Sequence, residues 1–287
     1  MNPISLQIGS IKVTGLRDGF FYLDGGAMFG VVPKVLWEKL MPADEKNRIK
    51  LGLNSLLVQT PEANILIETG VGESLPEKFK KYYSVEREPD LLAALQGAGL
   101  RPEEIDFVVN THLHFDHCGG NTREIEKGKF VPTFPQAKYI IQKGEWEYAL
   151  SPSPRDKPSY LPQTFKPLAD QGCLQLVEGK FTITTGVEVI PVPGHTRHHQ
   201  CVRINSAGQT IFFLGDLVPT RAHIGLSYVM SYDLFPLETI TNKQKIFAQG
   251  FQEKWIFAFN HDPDYFFGRV DQQNDRFLFL PLSEKEI

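Results

Sequence analysis

The segment "NTHLHFDHCGG", Asn110–Gly120, sets three histidines and an aspartate within six consecutive positions. The whole chain has only 8 histidines in 287 residues, so a chance His-x-His-x-Asp-His has odds of roughly 3 in 10,000. The residues just before it, "IDFVVN", read as a compact apolar strand, which puts the cluster at a strand's carboxyl end. Ligand-binding groups tend to sit just outside such ends in sheets covered by helices. Extended backbone sends His112 and His114, two residues apart, to the same side. Asp116 and His117 fall past the strand, where the chain turns toward a second position.

An ion held by two or three of these groups lacks donors, and the missing ones are expected at other strand ends. "VPGHT" ends a strand at His195, "FFLGD" ends one at Asp216, and "IFAFNHD" ends one at His261. Each polar residue follows an apolar strand that otherwise feeds straight into a core. Together the segments offer five histidines and two aspartates, enough nitrogen and oxygen donors for two divalent ions with a carboxylate between them. A hydrogen-bonded histidine network without an ion is the competing reading. It carries most weight for His261, because "NHD" alone is a common string.

The rest of the chain fits an α/β organisation. The opening third is β-rich ("ISLQIGSIKVTGL", "LNSLLVQT", "ANILIETG"), interrupted by a glycine-containing loop that runs into a short helix near Val35–Leu40. A helix opens near Pro89 and stops at Gly97 and Gly99. Strand "KYIIQ" and helix "GEWEYAL" follow. Five prolines between Ser151 and Pro167 then predict an irregular surface excursion. A second β-rich half is read from "CLQLV" through "FTITTGVEVIPVPG" to a hairpin "QCVRINSAGQTIFFLGD", turning near Ser206–Gly208. In the helix "PLETITNKQKIFAQGF", the residues Leu237, Ile240, Phe247 and Phe251 are expected on one face. Two β-rich halves, each with helices, predict a layered sandwich folded as one domain over 1–287.

Composition narrows the partners. A net charge of −4 gives no electrostatic footprint for nucleic acid or an anionic membrane, and no apolar run reaches the length of a membrane span. The start "MNPISLQIGSIKVTG" has no signal-peptide pattern. Three widely spaced cysteines, Cys118, Cys173 and Cys201, suit a reducing compartment. The expected location is cytoplasmic.

"THLHFDH", "PGHT", "LGD" and the late "NHD", in this order, resemble the metallo-β-lactamase-fold hydrolases from about Ile4 to His261. The resemblance implies a four-layer αβ/βα sandwich of two mixed β-sheets with two metal ions at one edge. It assigns His112, His114 and His195 to one ion, Asp116, His117 and His261 to the other, and Asp216 to a bridge. The expected metal is Zn²⁺, although Fe²⁺, Mn²⁺ and Co²⁺ suit the same donors. Glu68 stands where the family more often has aspartate and is expected to orient a metal-bound histidine. His199 matches a supporting histidine, and His198 replaces a glycine of the "PGHTxGH" pattern.

Within the superfamily, "LDGGAMFGVVPKVLWEKLMP" and "GDLVPTRAH…YDLFPLET" are similar to the quorum-quenching lactonases. The resemblance implies opening of N-acyl-homoserine lactones, or other lactones and esters, by hydroxide held between the ions, with Asp116 carrying the proton to the leaving group. Met28 and Phe29 are then expected in an apolar acyl-chain wall, with His223 and Tyr228 also lining the pocket. Such lactonases often form homodimers and often place a pocket tyrosine three residues after the bridging aspartate. Pro219 occupies that position here. An arylesterase or phosphotriesterase is the alternative, a glyoxalase II-like thioesterase ranks lower, and a non-enzymatic metal-binding or redox protein belongs to a different class.

Overall fold

The computed structural model describes residues 4–274 and 276–282. The strands are β1 (Ser5–Ile8), β2 (Ile11–Asp24), β3 (Arg48–Gln59), β4 (Asn64–Ile67), β5 (Phe107–Val109), β6 (Thr122–Glu126), β7 (Lys129–Pro132), β8 (Lys138–Gln142), β9 (Leu174–Val177), β10 (Phe181–Thr184), β11 (Val187–Pro191), β12 (Gln200–Ser206), β13 (Gln209–Phe213), β14 (Ile256–Ala258), β15 (Phe267–Gln273) and β16 (Arg276–Pro281). The α-helices are α1 (Gly25–Phe29), α2 (Lys34–Trp37), α3 (Glu77–Tyr82), α4 (Leu91–Gly97), α5 (Phe115–Cys118), α6 (Lys143–Leu150), α7 (Lys166–Asp170) and α8 (Pro236–Gln252).

Two seven-stranded mixed sheets face each other. One runs β1-β2-β3-β4-β5-β8-β9, the other β10-β11-β12-β13-β14-β15-β16, and β6–β7 is a separate hairpin. Alternation along single strands shows why they stack. In β4, Ile65 and Ile67 join the core between the sheets, while Leu66 points the other way, into the core that includes Leu91 and Leu95 of α4. In β13, Ile211 and Phe213 face the first sheet and Phe212 joins Phe247 of α8. Strands buried on both faces read as continuous apolar runs, and the result is helix, sheet, sheet, helix. Truncating Ile204 or Ile211 to alanine in the middle layer costs about 2–5 kcal/mol.

Four sequence expectations change. "CLQLV" belongs to the first sheet, where β9 pairs parallel with β8; parallel partners need a long crossover, here the segment carrying α6 and α7. The proline-rich stretch contains 3-10 turns at Lys157–Ser159 and Pro162–Thr164, then α7. Proline in a first helical turn has no N–H to lose, so Pro167 fits there. The glycine-containing loop includes α1, whose Ala27 N–H is capped by Asp24, and the helix expected near Val35–Leu40 is α2, ending at Trp37.

The fourth change concerns α8. Its buried stripe is Thr239, Lys243, Phe247 and Gly250, with Leu237 (78%) and Phe251 (38%) exposed. A lysine sits in that stripe because its ammonium meets three carbonyls, His223 O (2.6 Å), Gly225 O (2.8 Å) and Tyr228 O (2.9 Å). Burial pulls its pKa down to about 7, with Asp233 opposing. Hydrophobic patterning passes over such a residue, whose stem is apolar and whose three donors are all satisfied.

Candidate metal centre and reaction cavity

β5 ends at Val109 and the chain leaves the sheet through Asn110–Leu113 into α5. The turn is pinned from behind. Glu68, held at a positive φ of 62°, accepts the Thr111 N–H at 2.9 Å and sits 3.4 Å from His117 Nδ1. Glu145, on α6 and almost fully buried, accepts the Leu113 N–H (3.1 Å), the Tyr160 hydroxyl (3.0 Å) and the Thr196 hydroxyl (2.8 Å). One carboxylate thus joins the residue between His112 and His114, the ring against His114 and the neighbour of His195.

All seven expected ligands come together. One donor atom from each of His112, His114 and His195 lies within 4.8 Å of the others, as do those of Asp116, His117 and His261; a third such group is His112, His117 and Asp216. The first two triads coincide with the two ion assignments implied by the resemblance. Asp216 lies between them, Oδ2 3.4 Å from both His117 Nε2 and His195 Nε2, and Oδ1 3.3 Å from His261 Nε2.

Three of the five outer ring nitrogens are committed elsewhere, while His114 Nε2 and His117 Nδ1 are buried without a hydrogen bond, the latter 3.4 Å from Glu68 Oε1. His112 Nδ1 pairs with Thr111 Oγ1 (2.9 Å), His195 Nδ1 with Asp233 Oδ1 (3.0 Å) and His261 Nδ1 with Gly52 O (2.8 Å). Such partners fix the ring and its tautomer. The inward atoms are short of partners: His112 Nε2 and Asp216 Oδ1 are buried without a hydrogen bond. His195 Nε2 lies 3.1 Å from His114 Nδ1, and His261 Nε2 3.2 Å from His117 Nε2. Nitrogen pairs this close need a shared proton or a shared cation. The unsatisfied donors beside them favour the cation, so the residues fit divalent ions.

The carboxylates draw positive charge into this cluster. Burial, then the neighbouring histidines, hold His112 and His114 well below the usual histidine range. For Asp216, burial pushes up, and His117, His261 and His195 outweigh it to hold the carboxylate well below its ordinary value. Burial also opposes charge on His117, but Asp216, Asp116 and Glu68 raise it well above.

His199 is already spoken for. Its Nδ1 donates to Val192 O (3.2 Å), its Nε2 accepts the Asp216 N–H (3.2 Å), and burial takes it down to about 3. It therefore braces the Asp216 backbone. Gly215 has φ +52°, and a Cβ there meets His199 Nε2 at 2.7 Å, so glycine is required before Asp216. His198 has no positive φ, and its ring packs on Gly144.

The cluster lies at one side of a cavity of about 350 Å3, lined by His114, Asp116, His195, Asp216 and His261 together with Leu23, Met28, Phe115 and Met230. Met28 is on its surface as expected. Phe29, His223 and Tyr228 are not. Phe29 is fully buried, stacked on Trp37 and on His223 (4.4 Å) with Tyr228 at its edge. Both nitrogens of His223 are taken, by Thr220 Oγ1 and Met28 O, and Tyr228 lines a separate depression with Arg221. The three form a brace behind Met28. Pro219 does not face the cavity either; its carbonyl accepts the His261 N–H at 2.9 Å.

Sequence reasoning missed Tyr83, Arg155, Met230 and Tyr232 on the cavity wall, and Asp233 and Glu145 behind it. Nothing in "GEWEYAL" marks Glu145 as buried and Glu147 as exposed except the 3.6-residue period, which a helix of eight residues barely samples.

The chain belongs to the metallo-beta-lactamase superfamily, whose sequence model matches residues 50–266. Its similarities within that family include lactonases and other hydrolases. It is 27% identical over 170 residues to an N-acyl homoserine lactonase of Bacillus cereus, covering 56% of this chain and 61% of that relative. A further N-acyl homoserine lactonase, AttM of Azorhizobium caulinodans, is 27% identical over 194 residues, 64% of this chain and 68% of the relative. A probable metal-dependent hydrolase from Staphylococcus aureus superposes with a TM-score of 0.88 at 33% identity, covering 97% of this chain and 99% of that one. AidC, a dizinc quorum-quenching lactonase, shares the fold at a TM-score of 0.82 and 21% identity, with 98% of each chain covered.

Proposed function

We propose that this chain is a metal-dependent hydrolase whose cluster holds two divalent ions, Zn²⁺ foremost, and that it opens lactone rings, in particular those of N-acyl-homoserine lactones. The observation that carries the reading is the convergence of seven donors with unsatisfied inward atoms on a cavity whose lining also includes the apolar Leu23, Met28, Phe115 and Met230. Divalent ions so placed supply a Lewis acid and a water of lowered pKa. The chain's own residues do the rest. Asp116, whose Oδ2 lies 3.5 Å from His261 Nε2 and which lines the cavity, is placed to move a proton to the leaving oxygen. Asp233, Thr111 and Gly52 O hold His195, His112 and His261 in the tautomers that aim lone pairs inward. Leu23, Met28, Phe115 and Met230 exclude water and accept an acyl chain.

The lactone assignment is supported by the lactonase relatives together with the apolar residues of the cavity lining. The arylester and phosphotriester reading shares every one of these residues and differs only in the electrophile. The test is kcat/KM on a medium-chain N-acyl-homoserine lactone, with protein of measured metal content and a chelated control. A value above about 10⁴ M⁻¹s⁻¹, in the ordinary enzyme range, abolished by chelation, supports it. A feeble rate with both ions present discards the lactone and moves attention to aryl esters and phosphotriesters. No turnover of any of these by metal-loaded protein favours a metal-binding protein without hydrolase activity.

A further inference from the structure

The reaction cavity adjoins a second one. Leu23, Tyr83 and Tyr232 line both, and beyond them lies a vestibule of about 480 Å3 bounded by Tyr22, Tyr82, Lys46, Arg48 and Lys81. Ring contacts and a backbone bond hold one side of it. Tyr83 stacks on Phe115 at 5.2 Å and meets Tyr82 edge-on at 4.9 Å. Its carbonyl accepts the Tyr22 N–H at 2.8 Å, fixing the C-terminal end of α3 to β2.

The polar groups facing this space are poorly matched. Among the described residues the hydroxyls of Tyr82, Tyr83 and Tyr232 have no hydrogen-bond partner, and neither Lys46 nor Lys81 has an ion pair. Arg48 is committed to Asp44 by two hydrogen bonds and to Ser84 by another. Asp24, the one carboxylate on the wall, has both oxygens engaged, by the Ala27 N–H and by Asn47 Nδ2. The two ammonium groups are solvent-exposed, as are Tyr82 (71%) and Tyr232 (40%), so the mouth of this space carries positive charge and aromatic faces with no protein carboxylate taking up the charge of Lys46 or Lys81.

We propose that this vestibule binds the distal end of the substrate, and that the preferred substrate carries an anionic group (a carboxylate or a phosphate) at the far end of its chain. The proposal rests on the hydrolase reading above. The electrophile occupies the histidine cavity, the chain passes between Leu23, Tyr83 and Tyr232, and the anion meets Lys46 and Lys81.

The experiment uses the metal-loaded protein and two matched series, N-acyl-homoserine lactones and p-nitrophenyl esters of graded chain length, each ending in methyl or in carboxylate. In one window of chain length the carboxylate-ended member is expected to have a kcat/KM about five- to tenfold higher, through KM, at low ionic strength. That ratio falls to about one in Lys46→Ala/Lys81→Ala and persists in Lys39→Ala/Lys78→Ala, which removes the same charge outside the vestibule. A ratio of one at every length, or a preference that survives Lys46→Ala/Lys81→Ala, overturns the proposal. If the protein turns over neither series, the lactone and ester readings fail, and calorimetric titration with dodecanedioate and its monomethyl ester decides the vestibule alone. Tighter binding of dodecanedioate that disappears in Lys46→Ala/Lys81→Ala supports it, and equal binding of the two overturns it. A phosphate-ended analogue in the same titration identifies which anion is preferred.

Discussion

Glu145→Ala removes a carboxylate that touches no substrate and yet underlies three parts of the site. Three donors are left behind: the Leu113 N–H, the Tyr160 hydroxyl and the Thr196 hydroxyl. Each buried donor left unpaired costs about 1–3 kcal/mol. Two of the three are hydroxyls that can rotate, and removing a carboxylate whose pKa burial has raised gives some of the loss back. A net destabilisation of about 3 kcal/mol follows, or roughly 6–12 °C in Tm at about 2–4 °C per kcal/mol. Glu145→Gln keeps the shape and an acceptor for the Leu113 N–H, so about 1 kcal/mol is expected. Loss of a group that orients metal ligands typically weakens metal binding 10- to 100-fold, and the stabilisation conferred by zinc then shrinks by about 1.4–2.7 kcal/mol. The assay is thermal melting of both variants with a chelator and across a zinc titration. If Glu145→Ala melts within about 2 °C of the parent, or zinc raises its Tm as much as the parent's, the coupling of this carboxylate to the site is wrong.

Other consequences follow from the same geometry. Asp216→Ala should lose at least one ion per chain by elemental analysis and most turnover; two retained ions with full activity refute the bridging position. Asp233→Asn should weaken metal binding 10- to 100-fold while leaving the chelated melting temperature near that of the parent, because its bond to His195 acts on the ring's aim rather than on the core. Lys243 has a folded pKa of about 7 against about 10.4 in the unfolded chain. The unfolded chain therefore binds more protons between those values, and stability should rise with pH from about 7 to 10. Lys243→Met should flatten that rise in chemical denaturation curves, and an unchanged slope counts against the buried ammonium as its source.

Much of the fold was legible because its strands are buried on both faces, so "IDFVV", "TIFF" and "IFAF" stand out as uniform apolar runs ending in a polar donor. Six of the seven expected donors follow those three runs and His195 follows "VEVIPVPG", and a chain has little reason to end a core strand on histidine or aspartate repeatedly. The cavity wall was not legible. Tyr83, Arg155 and Tyr232 come from a helix end and two loops whose positions depend on tertiary contacts, such as the Arg155 bond to Ser231 O. Phe29 and His223 misled for a related reason: apolar and aromatic residues in a loop beside a site look the same whether they face it or brace it. Lys243 broke the amphipathic pattern of α8 because charge, taken alone, predicts exposure.

The seven donors divide unevenly along the chain: four lie between His112 and His117, while His195, Asp216 and His261 arrive from strands of the second sheet and the segments that follow them. On the two-ion reading, the six-residue stretch offers four donors before anything has folded, and histidines of an unfolded chain also bind metal. Zinc present during folding is therefore partitioned between the native site and the open chain, and a denatured chain that holds metal forfeits part of the stabilisation that binding otherwise confers. Renaturation with metal added last should give a higher yield of active protein than renaturation in excess zinc, and the difference measures how strongly the local motif competes with the finished site.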